Sequence, residues 1–250
     1  MKKRIVSAVL AAAMIVTLGA CGKNESKKET YTIATDTAFA PFEFEQDGEF
    51  IGIDVDLMAA IAADQGFTYE LQRLGFDAAV QALEAGQADA TIAGMSITEE
   101  REKKFDFSNA YFDSGVVMGI AADNETVTSY ADLSGQKVAV KTGTEGAAFA
   151  ESIAAEYGFE TIYFNDSPTM YDDVKTGNSI ACFEDYPVLG FGVKNNNGLK
   201  IVTEKEAGNS YGIAVQKGEN KELLEMLNKG LENIRANGKY DEILNTYIGE

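Results

Sequence analysis

A chain of 250 residues, 45% apolar and 24% charged, has the material for one large domain or two small ones. Its formal charge of −19 argues against nucleic acid or an acidic membrane surface as partner, because both carry like charge, and leaves small molecules or basic protein surfaces. With no histidine and 2 cysteines, the usual general base and the commonest transition-metal ligand are missing, so zinc hydrolysis and Ser-His-Asp chemistry are not expected.

In chain order, Lys2, Lys3 and Arg4 precede the apolar stretch IVSAVLAAAMIVTL, which is too short to span a bilayer comfortably and predicts an export signal over residues 1–20. It runs into LGAC (18–21), which resembles the lipobox of bacterial lipoproteins, so Cys21 is the expected lipid anchor; a plain signal peptide with a chance cysteine is the alternative. The polar run GKNESKKET then reads as a tether, giving 21–30 as lipidated cysteine plus linker. Cys182 is left without a partner and reads as a small buried hydrophobe.

From Tyr31, β-branched or aromatic runs alternate with helical periodicity. YTIATD (31–36) predicts a strand, DVDLMAAIAADQG (54–66) a helix ending on Gly66, FTYELQRL (67–74) a strand, FDAAVQALEAGQ (76–87) a helix and ADATIAGMS (88–96) a strand. FSNAYFDSGVVMGIAAD (107–123) is extended. The βαβαβ pattern recurs in KVAVKTG (137–143), GAAFAESIAAEYG (146–158), ETIYFND (160–166), SPTMYDDVKTG (167–177) and SIACFEDYP (179–187). GNSYGIAVQKG (208–218) is extended again, ahead of helices over 220–238 and 239–249.

The halves align without a gap when Gly86 is set on Gly177 and Ala90 on Ala181, which puts Gly94 on Asp185. Ligands of open α/β sheets collect beyond the carboxyl ends of the strands, so the GMS and ED segments occupy equivalent ligand-facing tips. Two extended crossings suggest a hinge at 112–115 and 207–210, between lobe 1 (31–111 plus 211–250) and lobe 2 (116–206). Taken alone, the adjacent Glu184 and Asp185 fit a catalytic pair, half of a metal site, a grip for a cation or the wet end of a strand.

ATDTAFAPFEF (34–44), GIDVDLMAAIA (52–62), ALEAGQADATIAGMSITEEREKKFDFSNAYFDSG (82–115), ADLSGQKVAVKTGT (131–144) and YGIAVQKG (211–218) together resemble family 3 extracellular solute-binding proteins of ABC transporters, the polar amino-acid receptors. Within that family the resemblance is to glutamine-binding proteins, and it covers residues 31–250. It implies an α/β, two-lobed periplasmic-binding-protein-like fold of type II, with two α/β lobes joined by a two-strand hinge. It also implies a monomer with neither enzymatic activity nor cofactor, nor a metal, whose partners are an L-amino acid, most of all L-glutamine, and the permease subunits of an ABC importer. The anchor places it on the outer face of the cytoplasmic membrane.

The resemblance assigns roles residue by residue. Arg101 matches the arginine that takes the ligand's α-carboxylate through two parallel bonds, although on sequence alone it is equally a surface arginine among Glu99, Glu100 and Glu102. Ser96 matches the residue whose N–H supports the carboxylate and whose hydroxyl, with the Gly94 carbonyl, supports the ammonium. Thr144 precedes a helix whose free N–H groups favour an anion, and its loop lacks the lysine placement of a nucleotide-binding loop. Asp185 matches the acid that pairs with the α-ammonium, Phe39 and Phe76 the aromatic walls, and Asp36 and Lys141 the side-chain contacts of glutamine receptors.

Two positions depart from the pattern: Glu145 replaces an expected glycine and Glu184 an expected histidine. The added charge disfavours glutamate and admits arginine or lysine as alternative ligands. Strand alternation predicts that Glu184 points away from Asp185, towards the hinge or the lobe contact. A rival class is an enzyme similar to cyclohexadienyl dehydratases with Glu184 and Lys141 as acid and base; another is a sensor that reports ligand to a separate signalling protein.

Overall fold

Strand and helix periodicities alternate along this chain, and their apolar faces collapse into two separate cores rather than one. The computed structural model describes residues 30–206 and 208–249; the expected export signal, the anchor at Cys21 and tether residues 22–29 lie outside the described residues.

The first elements are β1 (Thr30–Thr35), the hairpin β2 (Phe44–Gln46) and β3 (Glu49–Ile51), α1 (Ile53–Gln65), β4 (Thr68–Arg73), α2 (Phe76–Glu84) and β5 (Ala90–Thr91). The strands β6 (Phe105–Phe107), β7 (Phe112–Asp113) and β8 (Val116–Ala121) lead to β9 (Lys137–Lys141), α3 (Glu145–Tyr157), β10 (Glu160–Phe164), α4 (Ser167–Lys175), β11 (Ala181–Asp185) and α5 (Tyr186–Lys194). Then follow β12 (Leu199–Ile201), β13 (Ser210–Tyr211), β14 (Ala214–Gln216), α6 (Lys221–Ala236) and α7 (Lys239–Ile248).

One sheet has the order β4-β1-β5-β14-β6 and the other β10-β9-β11-β8-β12. In each, a βαβαβ run supplies the parallel strands, and an antiparallel strand from elsewhere in the chain, β14 or β8, lies beside the third. The expected internal repeat is present in the backbone. Gly86 and Gly177 follow α2 and α4 at φ 68° and 77°, a left-handed conformation that glycine adopts without steric cost. The next residues donate back into those helices, Gln87 N–H to Ala82 O at 2.8 Å and Asn178 N–H to Asp173 O at 3.1 Å, and β5 and β11 begin at Ala90 and Ala181.

The crossings between the sheets pair with one another as the antiparallel ladder β7–β13, Phe112 opposite Tyr211. The terminal helices return to the first sheet, where Leu223, Leu227, Leu231 and Ile234 of α6 join Leu57 and Ile61 of α1 in one core. Gly230 permits that approach, since a Cβ there would stand 2.7 Å from Ile61 Cγ2. Cys182 is fully buried and free, and burial pushes its thiol up, as expected of a small hydrophobe. No helix among the described residues is long and apolar enough to cross a membrane.

Several boundaries differ from expectation. The helix predicted over 76–87 stops at Glu84, where the closing turn takes Gln87 N–H and Ala88 N–H back to Ala82 O, and the strand predicted over 88–96 is confined to Ala90–Thr91, with the chain bending at Gly94, φ 53°. The β2–β3 hairpin and α5 are additional elements.

Candidate functional site

The carboxyl ends of β1 and β5 face those of β9 and β11 across the gap between the sheets, and the predicted residues gather there. Asp36 follows β1, Gly94 follows β5, Lys141 ends β9 and Asp185 ends β11. Lys141 Nζ donates to Asp36 Oδ2, joining the two lobes by an ion pair whose side chains are 1% and 0% exposed. The same ammonium stands 4.5 Å from the centroid of Phe39 and 5.8 Å from that of Phe76. Burial alone draws the Lys141 pKa down, but the charges of Asp36 and then Glu184 outweigh it and leave it above the ordinary value, so the group is an ammonium.

Arg101 opens a 3₁₀ turn and reaches back into the cleft. Its Nη1 donates to Ser96 O at 2.8 Å, its Nη2 donates to Gly143 O of the opposite lobe at 3.0 Å, and its guanidinium lies 5.4 Å from the Phe76 centroid. Glu145, the residue in place of an expected glycine, comes within 3.9 Å of Arg101 and accepts from Asn209 Nδ2 at 3.2 Å. Ser96 is buried and bridges to Tyr211 through its backbone.

Thr144 is the N-cap of α3: its Oγ1 accepts from Ala147 N–H at 3.2 Å and donates to Lys141 O at 2.8 Å. The helix start therefore sits directly beyond the Lys141 strand end, and the free N–H groups of a helix start favour an anion. Gly146 lets it pack down, since a Cβ there would meet Phe183 O at 2.7 Å. Between α2 and α3 a cavity of about 390 Å³ opens beside Arg101, Thr144 and Asp77.

Asp185 is 5% exposed and accepts from Tyr211 Oη at 2.5 Å, while Ser114 Oγ donates to the same Tyr211 oxygen at 3.0 Å. Burial, then the neighbouring Glu184 charge, pushes Asp185 up to about 7, against the opposing pull of Tyr211, Arg101 and Lys141.

The expected direction of Glu184 is corrected. Its side chain is buried within the second lobe, where Ser167 Oγ donates to Oε2 at 2.6 Å and Tyr171 Oη at 3.1 Å. Asp185, not Glu184, is the acid that faces the β7–β13 ladder, at Tyr211. The alternation holds, but β11 is buried on both faces, so the side opposite Asp185 is the underside of α4, not a contact between the lobes. There the amino end of α4 favours a carboxylate. Tyr211, Ser167, Tyr171 and Asn209 carry no assigned role in the sequence reading; Tyr211 lies within YGIAVQKG, and its hydroxyl beside Asp185 emerges only from the ladder register.

This assembly of an arginine, two acids, a lysine and two aromatic walls at a two-lobe seam can be set beside known proteins. The family model for bacterial extracellular solute-binding proteins, family 3, matches residues 31–250. The chain belongs to this family. A probable histidine-binding protein of Neisseria gonorrhoeae is 32% identical to this solute-binding protein over 263 residues, covering 100% of this chain and 97% of that one. An ancestral arginine-binding protein, solved bound to glutamine and again bound to arginine, superposes with a TM-score of 0.82 at 38% identity, over 89% of this chain and 99% of its own.

Substrate binding domain 2 of Lactococcus lactis GlnP, solved in an open conformation, is 40% identical over 90% of this chain and 97% of its own, yet superposes at 0.62. Higher identity with poorer superposition means that the lobes of this solute-binding protein are arranged differently from that open form. The Lys141–Asp36, Arg101–Gly143 and Tyr211–Asp185 contacts are among those that join the two lobes here.

Proposed function

We propose that this solute-binding protein captures a free L-amino acid, L-glutamine before others, by closing its lobes about the segments 112–115 and 207–210. It hands the ligand to an ABC permease while a lipid on Cys21 holds it at the outer face of the membrane. The observation that carries the glutamine reading is the buried Asp36–Lys141 pair between Phe39 and Phe76. A carboxamide donates and accepts at once, so its NH₂ suits Asp36 and its oxygen suits the ammonium of Lys141. A cationic side chain would meet an ammonium already in place, and a glutamate side chain would meet Asp36.

Around that pair, Arg101 and the Ser96 N–H take the α-carboxylate beside the amino end of α3 at Thr144, and Asp185 with the Gly94 carbonyl takes the α-ammonium. The ligand's charges are then paired in a dry site, as burial demands. Closing contacts come from both lobes at once, so the ligand shifts the population towards the closed form. A second reading, a receptor for arginine or lysine, draws support from Glu184 close behind Lys141 and from the histidine- and arginine-binding names of relatives.

Calorimetric titration separates the two. L-Glutamine should bind near the micromolar range, about −8 kcal/mol, and more tightly than L-arginine. Tighter arginine binding would overturn the glutamine reading, and no heat with any amino acid would overturn the receptor itself. The same titration carries a pH signature. Because burial raises Asp185 to about 7, the ligand-free cleft takes up a proton below that pH, and ligand binding has to expel it. Affinity is therefore expected to be level above pH 7 and to fall by roughly tenfold per unit below it. A profile flat from pH 8 to 5 would remove Asp185 from the ammonium site.

A further inference from the structure

We propose that Glu43 and Asp54 are positioning residues of the ligand cleft, which share a single proton and through it fix Gly94 and Phe39. The proposal rests on the cleft being the amino-acid site. Both side chains are wholly buried in the first lobe. Asp54 Oδ2 accepts from Gly94 N–H at 2.8 Å and from Tyr111 Oη at 2.8 Å. Its other oxygen and both carboxyl oxygens of Glu43 have no hydrogen-bond donor among the described residues.

Two facing buried carboxylates with three undonated oxygens are strongly unfavourable, and one proton resolves the whole set. Placed on Glu43, it donates to Asp54 Oδ1, while Oδ2 keeps its charge for Gly94 and Tyr111. The reverse placement is worse, because two donors already favour the ionised form of Asp54. Burial, then the Asp54 charge, pushes Glu43 well above the carboxylate range; burial takes Asp54 only to about 6, held back by Gly94 and Tyr111. The other charged groups facing the pair are Asp36 from the end of β1, which opposes ionisation of Glu43, and Lys141 from the second lobe, which favours it. Tyr111, ahead of β7, is itself pushed well up by burial and by these acids, and stays a donor.

The pair lies directly behind two parts of the cleft. Glu43 and Phe39 exchange backbone hydrogen bonds, Phe39 N–H to Glu43 O at 2.7 Å and Glu43 N–H to Phe39 O at 3.3 Å. Gly94, held by Asp54, lies so close to the Phe39 ring that a Cβ would collide with it. Releasing the shared proton would set two charges against each other behind both elements.

Thermal unfolding of the wild type and Glu43→Gln from pH 5 to 9, without ligand, tests the proton independently of the cleft's assignment. A carboxyl that is protonated when folded but ionised when unfolded makes stability fall as pH rises above its ordinary value of about 4.5, until the folded pKa is passed. The side-chain amide introduced by Glu43→Gln donates without titrating, so the melting-temperature advantage of the variant should grow with pH; a pH-independent difference would overturn the shared proton. Calorimetry with L-glutamine tests the positioning. Glu43→Leu, which lacks the donor, should weaken binding by about tenfold, and Glu43→Gln should restore it; wild-type affinity in Glu43→Leu would overturn the role. If Glu43→Leu fails to fold, carboxyl and amide NMR of the wild type decides. The Gly94 amide resonance should titrate with the Glu43 carboxyl, and a Gly94 amide indifferent to that titration contradicts the proposal.

Discussion

Asp185→Ala is expected to weaken L-glutamine binding by one to two orders of magnitude, from a loss of about 1.5–3 kcal/mol when a buried charge loses its partner. The carboxylate is 5% exposed, so no water readily replaces it, and Tyr211 loses its acceptor at the same time. Arg101→Ala should lose at least as much. Its guanidinium donates across the cleft to Gly143 O, so on the proposed reading the variant loses its bond to the α-carboxylate and a lobe contact together. Calorimetry on variants that keep wild-type circular dichroism checks both, and near-native affinity in either would refute its assignment.

The second large effect concerns Lys141. Lys141→Met keeps much of the aliphatic volume but leaves Asp36 buried without its counter-ion, a change that costs about 3–5 kcal/mol when one member of a buried pair is removed. Binding of L-glutamine should fall by roughly two to four orders of magnitude on that scale. A cationic ligand brings its own positive charge to Asp36, Phe39 and Phe76, so L-arginine should lose far less, and the preference should invert. Competition between the two amino acids on the variant reads this directly. A variant that still prefers glutamine would show that Asp36 and Lys141 do not contact the ligand side chain.

Much of the architecture was legible because its signals are local. Gly86 and Gly177 take the left-handed conformation that closes a helix, a signal carried by the local sequence, and apolar periodicity marks the βαβαβ runs without reference to tertiary contacts. The β2–β3 hairpin carried a legible signal in Asp47-Gly48, both at positive φ, which went unread between short, largely polar strands. Helix α5 was hidden by Gly190 and Gly192, which read as breakers, although Pro187 in its first turn is a start signal. For the site, dispersed motifs brought Asp36, Lys141, Arg101 and Asp185 to the same cleft, where the structure also places them. What sequence did not convey is burial. Glu43 and Asp54 look like solvated acids beside a hairpin and at a helix start, and only the packing of Phe39, Gly94 and Tyr111 around them makes them a buried pair. The direction of Glu184 was misjudged for the same reason, since a strand covered on both faces has no wet side to assign.

The claim on which all this depends is that the lobes close on a free amino acid. Spin labels at Leu74 on the first lobe and Tyr163 on the second, both exposed, report their separation by double electron–electron resonance. The expected result is a distance distribution that shifts to the shorter, closed separation as L-glutamine is added, with a midpoint equal to the calorimetric Kd, and that does not shift when Asp185→Ala is introduced. A distribution indifferent to every amino acid, or one that closes equally well in the Asp185→Ala background, would contradict the account.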